Sequence, residues 1–403
     1  MKRRIIIAAR ITAVSIILGI VLGIAGGLFY LCINGATVFR QSHSFVLFLL
    51  PVGAILVNLL YKLFKNEDDG GTNQVLISAR SDTPVSIKMA PSIFISTVFS
   101  HFCGASVGRE GAALQLGGSI GYNTGKLFHL TPREKSLCTS IGMSACFSSL
   151  FGTPMSAAVF SIEIAIVGRL NLACLVPSVI AAYISRHVAR MIGAPDLEMT
   201  LSQAFEGLTT EPIALIKVSI IAVAGGLAAL LFCTLLEKGG QMTSEKIKNK
   251  YLRAVLFGSI VLALSFIFPG QTYNGAGVDQ ISAFMRGDVV PYQFIIKMIF
   301  TVLSVIAGYK GGEIVPSFYI GAALGAFMGS LLGLSPSLAC AVGMVSMFCG
   351  VTSCPVTAFA IGIEIFGSSS APFFLLASAF SFFFSGRKGL YSSQKREMYF
   401  SKE

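Results

Sequence analysis

The chain has 403 residues, 54% of them apolar and only 12% charged, against about 25% charged in a soluble protein. That excludes a water-soluble globular domain and marks an integral membrane protein. The net charge of +11 sits mostly at segment ends, as anchoring and topology require, and no basic tract interleaved with aromatics points to nucleic acid. The nine cysteines fall in apolar segments with no Cys-x-x-Cys pair and read as small core residues. No stretch alternates as a barrel strand would, so the expected fold class is all-α and polytopic.

In chain order, Met1-Lys2-Arg3-Arg4 opens an apolar run that continues to about Cys32, too long for a signal-peptide core. It predicts a first spanning helix with a cytoplasmic N-terminus. Apolar segments follow at 44–64, 89–103, 111–128, 136–150, 155–167, 172–192, 213–237, 252–269, 292–309, 314–333, 337–351, 355–366 and 371–385. Several are too short to cross ~30 Å of hydrocarbon upright. Transporters use such broken helices to place helix ends at the bilayer midplane.

The chain also repeats itself. Gly142-Met143, Gly152-Thr153-Pro154 and Glu163 recur as Gly343-Met344, Ser353-Cys354-Pro355 and Glu364 at a constant offset of 201. Gly108-Arg109-Glu110-Gly111-Ala112 matches Gly312-Glu313-Ile314-Val315-Pro316 at an offset of 204, which carries Gly117 and Gly121 onto Gly321 and Gly325. Two repeats are expected, over residues 1–205 and 206–403, with binding at their interface.

Four segments interrupt the apolar pattern, each at a break or start of a helix: Asp68 to Gln74, Gly108 to Ala112, Lys310 to Pro316 and Gly386 to Tyr391. An Arg and a Glu at membrane depth are costly, by ~2.5–3.5 kcal/mol each on insertion scales, and persist there when they line a polar path or pair. Glycines beside them admit close backbone approach. A helix starting inside the membrane aims its free N–H groups and positive dipole end at the cavity, which suits an anion. Glu110 is then the anion's natural competitor.

In this order and spacing the four segments resemble the anion-binding motifs of the CLC family of chloride channels and anion/proton antiporters. The resemblance spans about residues 15–395. It implies an inverted two-fold repeat of broken and tilted helices, a homodimer with one pore per subunit, and no cytoplasmic regulatory domain. Gly71-Thr72-Asn73, Gly311-Gly312-Glu313 and Gly389-Leu390-Tyr391-Ser392-Ser393-Gln394 are closest to the CLC-F branch of fluoride/proton antiporters. Glu163-Ile164 lacks the second of the two adjacent glutamates found in chloride-type antiporters, again as in the fluoride branch. Two residues depart from that branch: Val315 stands where Thr is common, and Thr72 where Asn or Met is more usual.

The resemblance implies that Glu110 is the gate and proton carrier. The anion ligands would be Thr72, Asn73, Glu313, Ile314, Val315 and Tyr391, with Gly108, Arg109, Gly111, Gly312 and Pro316 supporting the helix N-termini. Other readings stand beside these. Glu110 could simply pair with Arg109, Thr72 and Asn73 could serve turn chemistry, and Tyr391 could be an interface anchor. Glu313 could donate to fluoride as a protonated acid, or cap the helix that begins near Val315. Glu163 and Glu364 are read as matching structural groups near helix ends. His43, His101, His129 and His187 lack ligand spacing, so no metal is expected, and no cofactor; His101 has at most a minor part in proton access.

The function expected is a non-enzymatic exchange of fluoride for protons across a cell membrane, the partners being the two ions and the lipid bilayer. No P-loop argues for an ATP-driven pump. The rivals are a chloride-selective CLC channel or antiporter and, from another class, a membrane-embedded protease using Ser119 and His101, for which no nucleophile motif is present.

Overall fold

The computed structural model describes residues 2–67, 69–195, 201 and 211–397, with side chains from Ile7 onward. Asp68 and the expected boundary between residues 205 and 206 lie outside the described residues. Helices α1 (Lys2–Ser42), α2 (Leu50–Leu63), α3 (Thr72–Arg80), α4 (Met89–Cys103), α5 (Glu110–Leu127), α6 (Pro132–Phe151), α7 (Pro154–Glu163) and α8 (Leu175–Ile192) precede residue 205. Helices α9 (Pro212–Lys246), α10 (Lys250–Ile267), α11 (Val278–Met285), α12 (Gln293–Ala307), α13 (Ile314–Leu332), α14 (Pro336–Thr352), α15 (Pro355–Phe366) and α16 (Ala371–Phe384) follow it. A two-residue parallel strand pair, Ile166–Val167 with Lys395–Arg396, ties the C-terminal segment to the end of α7.

Each helix of the first set has a counterpart eight places on. Helices α1 and α9 are the longest, 41 and 35 residues; at 1.5 Å per residue both exceed ~30 Å of hydrocarbon, so they lie tilted or run out of it. Their partners α3 and α11 have only 9 and 8 residues. The neighbours match too, with α5 packing on α6 as α13 does on α14, and α1 on α8 as α9 does on α16. Helix α2 meets α10, and α7 meets α15, across the halves. This is the all-α inverted two-fold repeat of broken helices. Among the described residues six segments are long and apolar enough to span a bilayer.

Small residues explain the tight pairs. Gly117 and Gly121 of α5 lie against Gly142 of α6, and Gly321 and Gly325 of α13 lie against Gly343 of α14. A Cβ on Gly142 would overlap the Gly117 carbonyl, and one on Gly343 the Gly321 carbonyl. In lipid, with no hydrophobic drive between helices, such backbone contact is a main source of association.

Glu163 and Glu364 cap each other's repeat. The Glu163 carboxylate accepts from the N–H groups of Val356 and Thr357 at the start of α15, at 3.0 and 2.8 Å. Glu364 accepts from Met155 and Ser156 at the start of α7, at 2.9 and 2.8 Å. Each also takes a hydroxyl bond, from Thr357 and Ser156 respectively. The free N–H groups and dipole of each helix start are thus met by a charge from the other half.

Two expectations need correction. The apolar segments did not include α3 or α11, because Thr72–Arg80 and Val278–Met285 are short and carry polar residues. Of the nine cysteines, Cys32 is exposed rather than in the core, while the other eight are buried and all are free.

A Gly142→Val substitution drives a branched side chain into backbone. It is expected to destabilise the purified protein by at least about 1–3 kcal/mol, read as a lower melting temperature in detergent, and Gly343→Val should do the same. An unchanged melting curve in both contradicts this packing.

Candidate functional site

The site forms where α5 and α13 start, deep in the protein. The two strands of chain that lead into these helices form an antiparallel bridge between Gly108 and Gly312. Gly108 N donates to Gly312 O at 2.5 Å, and Gly312 N to Gly108 O at 2.7 Å. Glycine is required for this approach. A Cβ on Gly108 would sit 3.0 Å from Pro316 Cδ, and one on Gly111 would sit 3.0 Å from Gly312 Cα. The bridge therefore aims two helix N-termini into one small volume.

Glu110 fills that volume. It is the first residue of α5, with Arg109 as N-cap, and it has no solvent exposure. Its Oε2 accepts from Arg109 N at 3.0 Å and from Val315 N at 3.3 Å. Arg109 Nε stands 3.5 Å from Oε1, but neither atom makes a hydrogen bond among the described residues, so the ion pair is loose. The Arg109 guanidinium instead lies over the Tyr30 ring, 4.7 Å from its centre. The carboxylate thus rests on backbone N–H groups of both halves, in the position that suits an anion.

Among the described residues, Glu110's neighbour Arg109 lines one cavity and Glu313 lines another, while Glu110 lines neither. The first, here called the outer cavity, has about 380 Å³ and is lined by Tyr30, Arg40, His101, Arg109 and Asn274, with the 270–280 loop. The second, here called the inner cavity, has about 410 Å³ and is lined by Glu313, Tyr391, Glu237 and three cations, Arg387, Lys388 and Arg396. Tyr391 is 4% exposed and its hydroxyl has no hydrogen-bond partner among the described residues. A buried O–H left without a partner is unusual and offers a donor to a ligand.

The other sequence-derived positions are placed as follows. Glu313 is the N-cap of α13 and lines the inner cavity with Tyr391. Ile314 is fully buried at the first helical position, with Pro316 two residues on. Val315 meets Glu110 through its backbone N–H. Thr72 opens α3, but its hydroxyl donates to Gly111 O at 3.3 Å and accepts from Gln115 Nε2 at 3.1 Å. It joins α3 to α5 rather than aiming a donor at the Glu110 volume. Asn73 holds the segment after Tyr391, accepting from Ser393 N and Oγ at 3.0 and 3.1 Å. The structure thus gathers Glu110, Gly108, Arg109, Gly111, Gly312, Val315 and Pro316 at one point, and Glu313 with Tyr391 at the inner side.

Sequence reasoning passed over Arg40, Lys297 and Asn274, all nearly fully buried around the outer cavity. A lysine inside the apolar run of α12 was the available signal, since an ionisable residue at membrane depth is functional by default. Ser119 is far from this site, about nine residues or ~14 Å along α5 from Glu110, and its hydroxyl donates to Ser86 O at 2.7 Å.

Comparison with known proteins agrees with this geometry. The family described as voltage gated chloride channel matches residues 52–386. A "chloride/fluoride channel protein" of Pseudomonas syringae pv. tomato is 32% identical over 397 residues, covering 96% of this chain and 86% of that protein. The crystal structure of a CLC-type fluoride/proton antiporter superposes with a TM-score of 0.91 at 27% identity, covering 97% of this chain and 98% of that one. A slow cyanobacterial Cl−/H+ antiporter shares the fold, with a TM-score of 0.80 at 18% identity and 94% and 96% coverage.

Because the Tyr391 hydroxyl bonds to no group among the described residues, Tyr391→Phe is expected to leave the melting temperature unchanged. It should weaken anion binding by about 3- to 10-fold, the worth of one hydrogen bond, as read by calorimetric titration. Equal affinity in the two proteins removes Tyr391 from the site.

Proposed function

The chain belongs to the voltage gated chloride channel family, and on that premise we propose that it is a fluoride/proton antiporter that exports fluoride. The observation that carries the exchange is the seat of Glu110. Its carboxylate holds the N–H of Val315 and of Arg109, near one cavity lined by Arg109 and another lined by Glu313, which in this reading face opposite sides of the membrane. A charged carboxylate and an anion cannot share those donors. Protonation neutralises Glu110, the side chain leaves, and an anion takes the freed N–H groups. When the anion has gone outward, Glu110 gives up its proton and returns. Anion and proton therefore move in opposite senses through one group.

Fluoride is favoured by the Gly311-Gly312-Glu313 segment and by the 27% identity to the fluoride/proton antiporter. Glu313, when protonated, adds a donor at the inner side of the site, and a small, strong acceptor such as fluoride gains most from it. Tyr391 adds the second inner donor, while Ile314 and Val315 contribute backbone N–H groups. Thr72 and Asn73 hold the inner wall in place. The chloride alternative gains little from the two departures, because Val315 works through its backbone and the Thr72 hydroxyl is spent on Gly111.

The working molecule in this reading is a homodimer in the cell membrane, with a cytoplasmic N-terminus and repeats over residues 1–205 and 206–403. Lipid or a second subunit would cover the exposed apolar side chains of α8 and α16, such as Val176 and Phe383. The driving force is the combined proton and anion gradient, without a cofactor.

The test is efflux from proteoliposomes preloaded with fluoride or chloride, followed with ion-selective and pH electrodes. Fluoride efflux with coupled proton uptake is expected, with the proton movement abolished in Glu110→Gln. Chloride efflux equal to or above fluoride contradicts the substrate, and fluoride efflux without proton uptake in the native protein contradicts antiport.

A further inference from the structure

The groups around the outer cavity do not balance. Arg40 is 2% exposed and its charge has no carboxylate at ion-pair distance among the described residues. Its Nε donates to Gln271 Oε1 at 3.0 Å and its Nη1 to His101 O at 3.3 Å, both neutral acceptors. Just behind it, the fully buried Lys297 donates to the carbonyls of Tyr273 and Gly275 at 3.0 and 2.7 Å and lies over the Tyr319 ring, 5.2 Å from its centre. Arg109 is paired only loosely. Among the described residues the single acid on the cavity wall is Asp279, at the rim, where it accepts from Gln41 at 3.4 Å. Buried cations are normally paired, and among the described residues that line this cavity Arg40 and Arg109 face one acid.

Hydrogen bonding is unbalanced at the same place. His101 Nε2 and Asn274 Oδ1 belong to residues 1% and 3% exposed, and neither atom has a partner among the described residues; nor does Arg109 Nε. All three residues line this one cavity. Clustered unsatisfied groups of this kind point to an ion or water that satisfies them. His101, in the tautomer with its proton on Nε2, and Arg109 Nε supply donors. Asn274 Oδ1, whose amide nitrogen already donates to Gly104 O and Ser265 Oγ, supplies an acceptor suited to a water proton.

We propose that the outer cavity is a dwell site for a small, partly hydrated anion, held by Arg40, Arg109 and His101, with its water on Asn274. This deepens the antiport reading and rests on it for direction. When Glu110 is protonated it stops being Arg109's counter-charge, and the anion in the outer cavity takes that place. The anion that has left the central N–H groups is thereby held one step outward while Glu110 returns. The site is separate from the N–H groups of Val315 and Arg109, because its holding groups are side chains, of which Glu110 shares only the Arg109 guanidinium, 3.5 Å from Oε1.

The experiment is calorimetric titration of sodium fluoride and sodium chloride into the purified protein, with sodium gluconate matching ionic strength. The His101→Phe protein is expected to lose one anion per chain, or to bind it more than about tenfold more weakly, the scale of a hydrogen bond to a charged group. His101→Gln, which keeps a donor, should retain it. Should His101→Phe fail to fold, Asn34→Asp serves instead. Asn34 is exposed on the cavity wall, and a carboxylate there should weaken the outer site about 3- to 10-fold by like-charge repulsion. Unchanged stoichiometry and affinity in whichever of these two variants folds overturns the site. Binding is read without any flux, so absent proton coupling in liposomes would defeat the antiport reading and leave the outer site standing or falling on its own titration.

Discussion

The architecture depends on one contact, the paired backbone hydrogen bonds between Gly108 and Gly312. It is the place where the two repeats exchange main-chain donors and acceptors at membrane depth. It also sets the distance between the starts of α5 and α13. Because both residues lack a Cβ, Val315 N comes within reach of a carboxylate that begins on α5. Helix pairs built on Gly142 and Gly343 then brace α5 and α13 from behind. The reciprocal caps of Glu163 and Glu364 lock α7 and α15 across the same pseudo-symmetric interface.

From that contact follows a division of charge. The centre offers backbone donors with no fixed positive side chain except the loosely held Arg109. The formal cations stand back, in the outer cavity as Arg40 and in the inner one as Arg387, Lys388 and Arg396. In the proposed reading an anion is drawn toward either mouth by full charges but meets dipoles at the centre, where binding must be reversible. Glu110 can replace the anion there because dipoles and N–H groups serve a carboxylate as well as they serve an ion. A lysine at that position would hold either one too tightly to turn over.

Much of this was legible in the sequence, and the limits are physical. Glycine and an ionisable pair inside an apolar chain located the starts of α5 and α13, because only a functional site tolerates them there. The offsets of 201 and 204 carried the two-fold repeat, since repeated glycines must answer repeated backbone contacts. Helices α3 and α11 were not legible from apolarity, being short and polar inside the protein rather than facing lipid. The partners of the Thr72 hydroxyl, Gln115 and Gly111, the latter next to Glu110, are set by tertiary packing that no local pattern encodes. The outer cations are distant in sequence, at Arg40 and Lys297, and only the fold brings them together.

The most direct measurement is a crystal structure of the Glu110→Gln protein with fluoride, the neutral amide standing in for the protonated acid. The account predicts an ion within hydrogen-bonding distance of Val315 N, with the substituted side chain turned away from the starts of α5 and α13. A side chain still resting on Val315 N, with no ion at the α13 start, contradicts the claim that carboxylate and anion compete for the same N–H groups.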